Sequence, residues 1–227
     1  IQHLPVVFAM DRAGLVGEDG PTHMGLYDIA YMLSIPGATV TAPRNGREML
    51  ALLRTSMEHT DGPFSLRYPR DASPDIVPPI AEITPVPFGT WEVLRHGSEF
   101  AVLAVGTMVN NALAAADILA AEGLSVTVVN CRFLKPHDEV TLTALLADHR
   151  HLLVVEEGTV VNGFGAYMTS VVARLDPAVR VMAHGVADKF IEQASRARQL
   201  ELTGLDAAGI AERVRALHGS AAEAVAG

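Results

Sequence analysis

The strongest constraint on the fold is an alternation in the second half of the chain. E99-F-A-V-L-A-V-G106, S125-V-T-V-V-N130 and H151-L-L-V-V-E-E157 are apolar almost throughout, and V179-R-V-M-A183 follows as a fourth run. Helical patterns separate them, over Asn110–Ala121, Glu139–Leu146 and Ala166–Leu175. Strands without a polar face must be covered on both sides, which predicts a parallel sheet between helical layers. The first half repeats the theme. P5-V-V-F-A-M10 reads as a buried strand, and the helical run from Leu26 puts Leu26, Ile29, Tyr31 and Leu33 on one face before P36-G37 stops it. T39-V-T-A-P43 is a strand. N45–M57 is an amphipathic helix with Asn45 as N-cap and Glu48 three residues on, and F64–P69 is a further strand.

Between the halves, D71–P87 holds five prolines in seventeen residues. Proline removes backbone donors, so neither helix nor central strand persists there. The expected class is therefore α/β, with two parallel-sheet, three-layer αβα domains. The expected divisions are 1–72, a Pro-rich linker over 73–88, 89–220, and a disordered tail over 221–227 behind a helix at L205–L217. The chain opens at Ile1 without a methionine and runs at once into a strand, which predicts the C-terminal piece of a longer polypeptide.

At 227 residues and 49% hydrophobic, the chain has ample apolar surface for such cores. A net charge of −9 with scattered basic residues argues against nucleic acid as a partner. Cys131 stands alone, which excludes an intramolecular disulfide and a cysteine zinc cluster and suits a reducing cytoplasm. No apolar run approaches the ~20 residues of a membrane span.

One stretch asks for more than a turn: D11-R-A-G-L-V-G-E-D-G-P-T-H-M-G25. Glycines and polar residues serve any loop. This one leaves the C-terminal end of an expected parallel strand, where ligands bind in open α/β sheets. It also carries Arg12, Asp19 and His23, a guanidinium for an anion, a carboxylate for a hydroxyl and an imidazole for protons. The G-x-G-x-x-G spacing and a Walker lysine are absent, and Asp19 and His23 lack further ligands for a metal. F64-S-L-R-Y-P-R70 places Arg67 and Arg70 at another strand end, and with Arg12 these offer planar groups suited to phosphate. N130-C-R-F-L-K-P-H-D138 and E156-E157-G158 also stand out; the basic pair with His137 offers a catalytic reading, against which Lys135, Pro136 and Asp138 read as turn and cap, the reading preferred. G163-F-G165 reads as a site of close helix approach. His149, His151, His184 and His218 read as packing or surface histidines.

D11-R-A-G-L-V-G-E-D-G-P-T-H23, R67-Y-P-R70 and N130-C-R-F-L-K-P-H-D138 together resemble the 1-deoxy-D-xylulose-5-phosphate synthases, transketolase-like enzymes that use thiamine diphosphate and Mg2+. The resemblance runs from the latter part of that family's pyrimidine-binding domain through its C-terminal domain. It implies condensation of pyruvate with glyceraldehyde 3-phosphate and loss of carbon dioxide, feeding isoprenoid, thiamine and pyridoxal biosynthesis in the cytoplasm. By the same resemblance Arg12 and Arg70 hold the aldehyde's phosphate, Asp19 orients a hydroxyl, and His23 hydrogen-bonds the cofactor-bound species and assists proton transfer. Arg67 matches a phosphate-binding position less well than Arg70. The family's diphosphate- and magnesium-binding N-terminal domain has no counterpart here. The resemblance thus implies an N-terminal partner, in the same or a separate chain, a homodimer, and a fragment inactive alone. A transketolase, the β subunit of a 2-oxoacid dehydrogenase, and a non-catalytic dimerisation or ligand-binding module are the alternatives.

Overall fold

The computed structural model describes residues 2–73, 76–98 and 100–226. Ile1, the linker residues Pro74 and Asp75, Glu99 at the start of an expected strand and Gly227 in the expected tail lie outside them. The first segment contributes β1 (Val7–Met10), α1 (Asp28–Leu33), β2 (Thr39–Thr41), α2 (Gly46–Glu58) and β3 (Phe64–Arg67). The second contributes β4 (Glu92–Arg95), β5 (Phe100–Ala104), α3 (Met108–Ala121), β6 (Val126–Asn130), β7 (Phe133–Lys135), α4 (Glu139–Asp148), β8 (His151–Thr159), α5 (Phe164–Leu175), β9 (Arg180–Val186), α6 (Arg196–Thr203) and α7 (Ala207–Ala226).

These strands form two sheets, in the orders β1-β3-β2-β7 and β4-β6-β5-β8-β9. In the second, β6, β5, β8 and β9 run parallel, in register pairs such as Val102↔Val128 and Val102↔Leu153. Alternate residues of β5 serve opposite layers, which is why the run is apolar throughout. Val102 and Ala104 pack with Ala112 and Leu119 of α3 and with Ile210 and Val214 of α7. Ala101 and Leu103 belong to the core formed with Leu142 of α4 and Met168 and Val172 of α5. That same core takes in Ile29, Val40, Leu52, Phe64 and Leu66 of the first segment. The two halves share it.

The all-parallel expectation needs correction at two edges. β4 pairs antiparallel with β6, and β7 pairs antiparallel with β2. β7 leaves β6 through Cys131 and Arg132 and crosses into the first sheet, where Phe133 faces Thr41. Phe133 is fully buried, and its ring meets Phe64 edge-on at 6.2 Å. Lys135 donates from Nζ to the carbonyls of Leu33 (3.0 Å) and Ile35 (2.7 Å), closing the C-terminal end of α1.

β1 is not the buried strand expected. It pairs with β3 on one side only, and Val7 and Phe8 are exposed because nothing among the described residues covers its outer edge and face. Tyr31 also points outward, and α1 buries Asp28, Ile29 and Met32 instead. The final helix runs on to Ala226, through residues expected to be disordered, since the alanine-rich A-A-E-A-V-A favours helix. Elsewhere local signals act as read. The Asn45 side chain accepts from the Glu48 amide at 2.9 Å, and Glu48 reaches back to the Arg44 amide at 2.7 Å. Among the described residues no helix is long and apolar enough to cross a membrane.

Candidate functional site

The loop between β1 and α1 is strapped from both halves of the chain. The amide of Ala13 donates to the carbonyl of Tyr68, and Gly14 and Gly25 pair their backbones at 2.8 and 3.1 Å. From the second segment, Glu157 accepts from the Leu15 amide at 2.9 Å, and Gln199 accepts from Gly17 at 2.8 Å. Leu15 and Val16 are buried beneath. Gly14 sits at φ +81°, and a Cβ there would lie 2.5 Å from Glu157 Cδ, so only glycine lets the strap close. Arg12 itself has φ +56°, a backbone state that L-residues rarely adopt, of the kind that concentrates at functional sites.

Held this way, the loop brings three of the four expected residues together. Arg70 donates from Nη1 to Asp19 Oδ1 at 2.5 Å, and Arg12 donates from Nε to Asp19 Oδ2 at 3.3 Å. Arg12 also meets Asp11 at 2.6 Å. Partial desolvation pushes the Asp19 carboxyl up, but the hydrogen bonds and charges of Arg12 and Arg70 outweigh it and hold it below the usual range. One carboxylate thus fastens two guanidiniums side by side at the surface, with half of the Arg70 side chain open to solvent. His23 lies four positions beyond Asp19 on the same loop, exposed, with its Nδ1 3.0 Å from Thr22 Oγ1. The structure places it beside the cluster in sequence and gives it no hydrogen bond to Arg12, Asp19 or Arg70.

Arg67 stands apart. It is 4% exposed and donates to Asp28 (2.6 and 3.2 Å), to the Gly25 carbonyl and to the Glu157 carbonyl (both 3.1 Å). Burial alone would lower its pKa; Asp28, Glu157 and Glu156 more than reverse that. Arg67 therefore braces the loop's far end and faces no solvent. Beside it Glu156 is buried and its pKa is raised to about 7, mainly by loss of water, although the amides of Phe164 and Gly165 donate to it at 2.8 Å each. Glu157 and Gln199, which hold the loop, and Arg196, which donates to Glu157 Oε2 at 2.6 Å, are supports that sequence reasoning did not assign. E156-E157 was conspicuous at a strand end, whereas the polar α6 offers no apolar period to mark Arg196 and Gln199.

The other candidates are engaged within the fold. Asp138 caps α4, accepting from the Thr141 amide at 2.9 Å, and also holds the Trp91 amide at 2.8 Å. Arg132 donates to the Thr90 carbonyl at 2.9 Å, and His137 meets the Tyr167 hydroxyl at 2.9 Å. His149 is buried against Thr127 and the Leu145 carbonyl, and His184 bonds the Gly204 carbonyl. His151 and His218 pack on the Phe100 ring. Among the described residues no three metal-capable side chains come together.

Comparison with known proteins agrees with this architecture. Residues 89–210 match the family described as transketolase, C-terminal domain, and residues 1–75 match transketolase, pyrimidine binding domain. The chain is 44% identical over 231 residues to a 1-deoxy-D-xylulose-5-phosphate synthase of Synechococcus sp. strain JA-2-3B'a(2-13), covering 98% of this chain and 35% of that protein. It is 44% identical over 215 residues to the synthase of Aquifex aeolicus, covering 95% and 34%. It thus spans about a third of the length of these curated relatives. A solved structure titled split gene transketolase, inactive beta4 tetramer, superposes with a TM-score of 0.82 at 28% identity, covering 92% of this chain and 66% of that one. With the two domain matches in tandem and one of them spanning more than half of its length, the chain belongs to the transketolase family.

Proposed function

We propose that the chain is the C-terminal third of a 1-deoxy-D-xylulose-5-phosphate synthase, and that its β1–α1 loop forms the acceptor wall of the active site. The observation that carries this is the Arg12–Asp19–Arg70 cluster: two guanidiniums held close by one carboxylate, where a phosphate dianion can take both. The reaction that this reading implies joins pyruvate and glyceraldehyde 3-phosphate with release of carbon dioxide. Arg12 and Arg70 bind the aldehyde's phosphate. Asp19, kept ionised by them, accepts from a substrate hydroxyl and fixes the aldehyde's orientation. His23, exposed at the loop surface beside Thr22, hydrogen-bonds the cofactor-bound species and assists proton transfer to or from its oxygen.

Thiamine diphosphate, when bound, supplies the electron sink for this chemistry. The chain's own residues fit the acceptor half of such a site and not the diphosphate–Mg2+ half, since no metal-ligand group occurs among the described residues. Those groups would be held by an N-terminal portion, in the same polypeptide or a separate chain, and the piece alone would be inactive. The uncovered edge and face of β1, with Val7 and Phe8 in solvent, are a surface that such a portion can complete. The same reading keeps the divisions 1–72, 73–88 and 89–220, a homodimer and a cytoplasmic setting.

The test is Arg70→Ala in the complete enzyme. Loss of a charge-assisted contact of about 1.5–3 kcal/mol raises KM for glyceraldehyde 3-phosphate by about 10- to 100-fold and leaves pyruvate within about twofold. Equal losses for both substrates, with an unchanged melting curve, refute the phosphate role. The likeness to a split gene transketolase keeps a second reading, ketol transfer between sugar phosphates, which aldehyde-dependent release of carbon dioxide from pyruvate would exclude.

A further inference from the structure

A cleft of about 520 Å³ opens where the two halves of the chain meet; Arg70 lines it, and Arg12, Asp19 and His23 do not. Its composition departs from that of the molecule. In a chain of net charge −9, the lining carries three arginines, Arg44, Arg70 and Arg196, against one acid, Asp71. Arg196 spends its two terminal nitrogens on Asp71 (2.9 Å) and Glu157 (2.6 Å), and its Nε has no hydrogen-bond partner among the described residues. Arg44 is less committed still. Its guanidinium meets Glu92 at 3.7 Å, beyond hydrogen-bond reach, and about a quarter of its side chain is open to solvent. The first turn of α3, which has no side-chain cap, lines the cleft through Asn110, so one positive helix end adds to the arginines, whereas at α2 Asn45, Glu48 and Ser73 already take the first amides. The floor is apolar, built from Pro43, Met49, Tyr68 and Met108.

A concave site with an apolar floor and converging cations selects an anion attached to an apolar body. We infer that this cleft is a second binding site, separate from the acceptor wall, for a small phosphate monoester with an apolar body. It stands whether or not the reaction proposed above is correct. Arg70 belongs to both places, since it lines the cleft and pairs with Asp19, so an occupant acts directly on the cluster that fastens the loop.

The experiment is calorimetric titration of the full chain with phenyl phosphate, with phenol and inorganic phosphate as the two halves of the probe. Phenyl phosphate is expected to bind more tightly than either half. Asn110→Asp places a negative charge in the first turn of α3, where it suits the helix and opposes the ligand, so binding weakens by at least about tenfold while the melting temperature holds or rises. Arg44→Gln weakens binding in the same sense. Arg12→Gln, outside the cleft lining, leaves it within about twofold. Absence of binding to the parent chain, or indifference to Asn110→Asp, overturns the inference. Loss of binding in Arg12→Gln would move the ligand to the acceptor wall, overturning the second site while sparing the first.

Discussion

Arg67 distinguishes a scaffold arginine from a ligand-binding one, and its removal has a calculable cost. Its side chain is 4% exposed and that of Asp28 is 8% exposed, so neither charge is well solvated. Arg67→Met leaves a buried carboxylate without its cation and strips a donor from the carbonyls of Gly25 and Glu157. Breaking a buried pair from one side costs about 3–5 kcal/mol. In a chain of this length each kcal/mol moves the melting temperature by about 2–4 °C, so a fall of about 6–20 °C is expected by scanning calorimetry. The double variant Arg67→Met, Asp28→Leu removes the stranded charge and fills the space with apolar atoms, and it should melt well above the single one. If Arg67 served a ligand instead, the ligand-free single variant would lose little. A melting temperature within about 2 °C of the parent, or a double variant no better than the single, would refute the bracing role.

Two further outcomes follow from the same region. Glu156 has a folded pKa of about 7, above its ordinary 4.5, so the native state holds its proton more tightly than the unfolded chain does. Stability from this group is present below about pH 4.5 and is lost as pH rises toward 7, to the extent of about 3 kcal/mol. Urea unfolding of the parent and of Glu156→Gln across pH 5–8 should show their difference changing through that window, and a constant difference would count against it. Gly165→Ala would set a Cβ 2.5 Å from that of Ala183, forcing α5 off β9. A loss of about 1–3 kcal/mol is expected in chemical denaturation, and no loss would mean that the helix has room to move.

Local chemistry carried much of the architecture into the sequence. The α2 cap at Asn45, the Asp138 cap of α4 and the apolar runs of β5, β6 and β8 are legible because each depends on residues a few positions apart. What escaped depends on partners far away. β4 sets two apolar residues between two charged ones and is half-buried throughout, β7 has three residues, and α6 buries only Gln199 and Leu200, so none shows a period. β1 looked like a core strand because its residues are apolar, yet burial is decided by neighbours, and here one side has none among the described residues. The proposed acceptor wall divides the same way. Arg12, Asp19 and Arg70 could be named from type and position, whereas the bonds that hold their loop come from Glu157 and Gln199, 142 and 182 positions away.

The crossing of β7 alters what the proline-rich stretch can be. A boundary drawn there looks like a place to cut the gene or to let the halves swing. Either act would withdraw Phe133 and Lys135 from the first sheet and open the core that both halves fill. The two halves should accordingly melt in a single transition, and neither should express as an orderly product without the other. For anyone exchanging parts between relatives, the workable seams lie elsewhere, because these domains are consecutive in sequence but interleaved in space.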